Sequence, residues 1–132
     1  MLTERGRDEE AFGILTSAVA DRCVSPEAYY LLAEVLTKLG RLDEAEETLR
    51  NGIALYPHVP NLWFLLGQTQ NQRQQFSDSE TSLLKAVDLG YTVPNVYFAL
   101  STACVRQGKK EKAAEYRKRF SEVKTAGGQD TQ

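Results

Sequence analysis

Apolar side chains along this chain recur at intervals of three and four residues within short blocks, and turn-forming or helix-starting residues, chiefly glycine and proline, separate the blocks. Tyr29, Leu32, Leu36 and Leu39 form one such stripe, the spacing of a helix with a single buried face. The stripe predicts a helix from about Pro26 to Leu39. Pro26 suits a first helical turn, Ser25 stands where an N-cap belongs, and Gly40 ends the stripe where a left-handed residue is tolerated. A second block carries Ala45, Leu49, Gly52 and Ile53 inward and opens on Asp43 and Glu44, acids that favour a helix N-terminus. No segment alternates apolar and polar residues over more than a few positions, so strands are not expected. The predicted class is all-α.

The blocks repeat. Setting Pro26, Pro60 and Pro94 in one column gives a period of 34 residues. Three residues after each proline stands a large aromatic (Tyr29, Trp63, Tyr97), then a leucine (Leu32, Leu66, Leu100), then a small residue (Ala33, Gly67, Ser101). Further on come a turn column (Gly40, Gln74, Gly108) and a second small column (Ala45, Ser79, Ala113). The register extends backwards, where Gly6 to Ala11 aligns with Gly40 to Ala45 and Leu15, Ala18 and Val19 align with Leu49, Gly52 and Ile53. Residues 1–25 therefore read as a partial repeat, mainly its second helix.

Composition narrows the class without changing it. The longest apolar runs, such as Leu62 to Leu66, fall far short of the roughly 20 residues that span a bilayer, so no membrane insertion is expected and a folded, water-soluble unit is. Cys23 and Cys104 lack metal-ligand spacing and the chain holds one histidine, His58, which makes a zinc site poor. The two cysteines read as buried reduced thiols, with a disulfide as the alternative. His58 reads as a surface loop residue. The net charge of −2 hides an uneven distribution: residues 1–50 hold eleven acids against six bases, and residues 101–132 hold four against eight. The bases near the end are interleaved with Glu111, Glu115 and Glu122, the pattern of a solvated helix face and not of a nucleic-acid site. Glu46 and Glu47 read as a solvated face as well. No nucleophile, base and metal ligand converge, and no glycine-rich phosphate loop is present. No cofactor and no enzymatic activity are expected.

The columns resemble the tetratricopeptide repeat, whose 34-residue pattern runs W-x2-L-G-x2-Y, then A-x3-F, then P. Trp63, Leu66 and Gly67 match it at the start of one repeat, and Ala45 and Pro57 match it later in another. Gln70 and Cys104 replace the usual aromatic, Tyr91 replaces the closing proline, and Arg117 stands in a column held elsewhere by Leu15, Leu49 and Leu83. The resemblance implies a right-handed superhelical solenoid of antiparallel helix pairs. Repeats would fill residues 26–59, 60–93 and 94–125, with a disordered tail over residues 126–132. A last helix carrying Arg117, Lys118 and Arg119 suits the polar end such an array requires, with Tyr116, Phe120 and Val123 supplying a rotated apolar face.

The resemblance also implies protein–protein recognition, a partner's peptide or helix lying in the groove lined by first helices. The columns on that face read Glu27, Asn61, Asn95; Tyr30, Phe64, Phe98; Glu34, Gln68, Thr102; and Thr37, Asn71, Val105, with Lys38 and Arg106 at the edge. The central expectation is a ladder of the three aromatics flanked by amides that hydrogen-bond an extended backbone, the alternative being that these rings pack between helices. The chaperone-binding members of the family grip a carboxylate with lysine, asparagine and arginine on these columns, and aromatics, Glu34 and Gln68 stand there instead. A second reading is a structural module that packs end to end with neighbouring repeats or copies, with weak self-association.

Overall fold

The computed structural model describes residues 25–130, with side chains as far as Lys124, together with Gly13 and Ile14. Residues 1–12 and 15–24, which hold Cys23 and most of the partial repeat, lie outside the described residues. Six helices follow one another: α1 (Pro26–Lys38), α2 (Leu42–Leu55), α3 (Pro60–Gln72), α4 (Phe76–Asp88), α5 (Pro94–Arg106) and α6 (Lys110–Asp130). Among the described residues there is no strand. Consecutive helices form hairpins, and each hairpin packs on the next mainly through its second helix, α2 on α3 and α4 on α5, and less extensively through its first, α1 on α3 and α3 on α5. The all-α solenoid of helix pairs is the architecture observed.

The turn column works as expected. Gly40, Gln74 and Gly108 take φ of 79°, 64° and 80°. In each case the next amide reaches back to the carbonyl five residues earlier: Arg41 to Leu36 at 2.8 Å, Gln75 to Gln70 at 2.8 Å, Lys109 to Cys104 at 2.9 Å. These are Schellman closures, which turn the chain sharply into the second helix. Gln74 pays a steric cost that glycine avoids. At the helix starts, Ser25 holds the N-cap position of α1, yet its hydroxyl makes no capping bond. Val59 and Val93 precede α3 and α5 in the same extended conformation. Proline at the first helical position presets φ and removes one orphan donor, so these starts depend little on a side-chain cap.

Two apolar clusters form the core. One holds Tyr29, Leu32, Ala33, Leu36, Ala45, Leu49, Leu62, Leu65 and Leu66; the other holds Phe64, Leu83, Ala86, Val96, Tyr97, Ala99 and Leu100. Trp63 packs against both and anchors its indole N–H on the Pro57 carbonyl at 2.9 Å. Small residues set the helix spacing. A Cβ on Gly67 would lie 2.5 Å from Leu83 Cγ, and Ser79, in the second small column, donates its hydroxyl to the Gly67 carbonyl at 2.8 Å. Gln70, in the column of the missing aromatic, is buried and accepts the Ser82 hydroxyl at 2.7 Å. Cys104 is a buried free thiol, whose ionisation burial disfavours.

Two expectations change. Glu46 is not on a solvated face: it is 7% exposed, held by Arg50 Nη2 at 2.8 Å and by Arg73 Nη1, from the turn of the following repeat, at 2.7 Å. Thirty-four residues on, Glu80 is 6% exposed and accepts Lys109 Nζ at 2.8 Å and Gln107 Nε2 at 3.0 Å. The second-helix glutamate column thus joins each hairpin to the next, because the turn of the following repeat brings a cation to it. Glu47, one residue on, is exposed. At the other end, α6 stays helical through Asp130, across residues assigned to a disordered tail. Gly127 and Gly128 cost roughly 1 kcal/mol each relative to alanine, and no proline stops the helix. Tyr116, Phe120 and Val123 do pack on the second cluster.

The glutamate joints make stability depend on acid. Burial pushes the Glu46 and Glu80 carboxyls up, but their hydrogen bonds and ion pairs with Arg50 and Arg73, and with Lys109 and Gln107, outweigh it and hold both below the usual carboxylate value. A depressed folded value means stability present above the unfolded carboxylate pKa, about 4.3, and lost as pH falls through the folded one. Urea unfolding of the E46Q/E80Q variant is expected to show lower stability than wild type at pH 7, with the difference shrinking as pH falls below the unfolded carboxylate value of about 4.3. A difference independent of pH would rule out the ionised joints as its cause.

Candidate protein-binding face

The first helices α1, α3 and α5 lie side by side and present the four columns predicted for a groove. Glu27, Asn61 and Asn95 are exposed; Glu34, Gln68 and Thr102 are half-buried. Thr37 and Thr102 turn their hydroxyls back onto the Ala33 and Phe98 carbonyls, at 2.8 and 3.1 Å. Asn71 is committed to the fold, donating Nδ2 to the Ala99 carbonyl of the next first helix at 3.2 Å. Arg106 is exposed, with its guanidinium carbon 5.9 Å from the centre of the Phe76 ring. Lys38 is exposed on α1, and His58 is exposed in the α2–α3 loop.

The aromatic column does not form a ladder of equivalent rings. Phe64 is 5% exposed and belongs to the second core cluster, Tyr30 is half-buried, and Phe98 is 61% exposed. The reason is positional. The next hairpin covers Phe64, and no described helix beyond α6 covers Phe98 in the same way. Tyr91 adds to the cover. Gly90 ends α4 at φ 103°, the Tyr91 amide closes on the Ala86 carbonyl at 2.9 Å, and the Tyr91 ring comes to rest 4.7 Å from Phe64.

Tyr91 is the residue that reading the columns missed. It stands where the family pattern has proline, and an aromatic after a glycine turn was the available signal. Burial raises the pKa of Tyr30 and of Tyr91, and Glu34 and Tyr91 raise that of Tyr30 further. Both phenols are therefore neutral donors over the physiological range. Tyr91 is half-buried against the buried Phe64, Tyr30 is half-buried against the first core cluster, and α3 and α5 carry the amides Asn61, Gln68 and Asn95. Phe98 lies apart, 5.9 Å from Phe120 of α6. Among the described residues, no group of three or more His, Cys, Asp or Glu is placed to hold a metal ion, and no helix is long and apolar enough to cross a membrane.

A tetratricopeptide-repeat family model matches residues 26–69, which span α1, α2 and most of α3. The fold is similar to a crystal structure of MamA, with a TM-score of 0.85 at 20% identity over 92% of this chain and 71% of that one. A structure of MamA from Desulfovibrio magneticus RS-1 is similar at TM-score 0.81 and 23% identity, over 92% of this chain and 68% of that one. At these identities the likeness is one of fold. No curated protein matches the sequence.

Proposed function

We propose that this chain, which carries a tetratricopeptide repeat and folds as a repeat solenoid, is a protein-interaction scaffold that holds a partner's peptide or helix on its first-helix face. The observation that supports this reading most is the recurrence of exposed amides on successive first helices, Asn61 and Asn95, on a face that also carries the half-buried Tyr30, with Tyr91 half-buried against Phe64. Rigid amphipathic rings supply contact area at little entropic cost, and amides on a repeating spacing suit an extended backbone. Glu27, Glu34, Gln68, Thr102 and Arg106 border the same face, and Glu27, Glu34 and Arg106 set its charge. Phe64 supports the Tyr91 ring from the core.

Site-specific photo-crosslinkers at position 61 or 95 are expected to capture a partner that a crosslinker at exposed Asn51 of α2 does not. With that partner in hand, Y91A and N61A/N95A are expected to weaken binding at least tenfold while far-UV dichroism is unchanged. Equal capture from position 51, or affinity untouched by these variants, would remove the first-helix face as the binding surface.

A further inference from the structure

The last hairpin presents a second surface, distinct from that of Tyr30 and Tyr91. On α3 the forward column is consumed by the fold: Phe64 is buried and Asn71 bonds the Ala99 carbonyl of α5. On α5 the same column stays open, with Phe98 61% and Val105 45% exposed. Phe98 is backed by Phe120, and Lys124 Nζ lies 5.7 Å from the Phe120 ring centre. One turn before Phe120, Arg117 replaces the leucine that is 0% exposed at positions 49 and 83, and its Nε reaches Ser101 Oγ at 3.3 Å. A merely solvated end accounts for Arg117 and Lys124. It leaves the exposure of Phe98, beside a half-buried Phe120, unexplained.

Charge says what fits there. Glu46 and Glu80 each hold the turn of the following repeat through a cation, Arg73 or Lys109, but Ala114 stands in that column on α6. A further repeat of the same kind would find no carboxylate there to receive its cation. Arg117, Lys118 and Lys124 are exposed on α6, and of its nearby acids Glu115 already lies 3.9 Å from Arg119. We infer that the slot formed by Phe98, Arg117, Phe120 and Lys124 takes an acidic amphipathic helix of a partner protein. Its apolar stripe covers Phe98 as α5 covers Phe64, and its flanking carboxylates meet Arg117 and Lys124. The site shares α5 with the first-helix face, Phe98 standing between Asn95 and Thr102, and Y91A against F98A separates the two surfaces.

The test uses the whole chain and two synthetic helices of equal length and identical leucine–alanine stripe, one flanked by glutamates and the other by lysines in the same positions. The glutamate peptide is expected to bind, with affinity falling as salt rises, and F98A to weaken it at least tenfold. R117E/K124E is expected to reverse the choice in favour of the lysine peptide. Y91A, which strikes the groove, leaves this binding in place. Equal binding of both peptides, binding of neither, or indifference to F98A would overturn the inference. Concentration-dependent self-association in sedimentation that F98A abolishes would overturn it as well, by assigning the slot to a second copy.

Discussion

Exchanging the residue of one repeat for that of another in the column of Leu49, Leu83 and Arg117 should have very unequal consequences at two positions. L83R is expected to cost about 3–5 kcal/mol, the penalty for an uncompensated charge in a buried site. Leu83 is 0% exposed, pressed against Gly67 and inside the second core cluster. An arginine there must either stay buried among Val96, Tyr97 and Leu100 or push α4 away from α3. Since whole domains are stable by only about 5–15 kcal/mol, a large part of the margin disappears. Arg117 itself is exposed on α6, so R117L is expected to shift stability by less than about 1 kcal/mol. Urea unfolding followed by Trp63 fluorescence reads both, because the chain's one tryptophan packs against both clusters. A mild L83R, within 1 kcal/mol of wild type, would show that the column does not carry the packing assigned to it.

The second large effect comes from the space Gly67 leaves. A Cβ there would meet Leu83 Cγ at 2.5 Å and Cδ2 at 2.6 Å, well inside contact distance. Leu83 has no solvent-exposed direction in which to retreat. G67V adds a branched side chain to that gap and is expected to destabilise by about 3 kcal/mol, at the upper end of the usual cost of overpacking. The combination G67V/L83A should lose less than the two single changes together, since each variant removes the other's clash or void. Additive losses would mean that the two side chains do not share one space. Ala33 and Ser101 occupy the same column without glycine. At position 101 the partner across the hairpin is Arg117, which extends towards the Ser101 hydroxyl and does not fill the interface as leucine does.

Much of the fold was legible in the sequence because it is local and repeated. The three-and-four spacing marked each helix, proline and the left-handed turn residues marked its ends, and a 34-residue period made three copies of one argument. The helix boundaries followed, as did the all-α solenoid and the core positions Tyr29, Leu32, Leu49, Leu66 and Leu83. The binding face was legible only as a set of columns. Equivalent positions in a repeat have equivalent backbones, but their burial depends on whether a neighbour follows.

Phe64 and Phe98 have the same side chain and the same column, yet one is core and the other is open surface. No pattern within a repeat distinguishes them. Glu46 shows the same limit. Its charge marked it as solvated, and Arg73, 27 residues away, made it a buried joint. Tyr91 reached Phe64 only because Gly90 bent the chain at the end of α4. By itself, then, the sequence determined periodicity, helix ends and the apolar face of each helix, since these depend on backbone preference and side-chain spacing along a few turns. The tertiary structure alone decided which members of a column are covered and which charges meet. Burial and ion pairing depend on distances between segments that the chain brings together only when it folds.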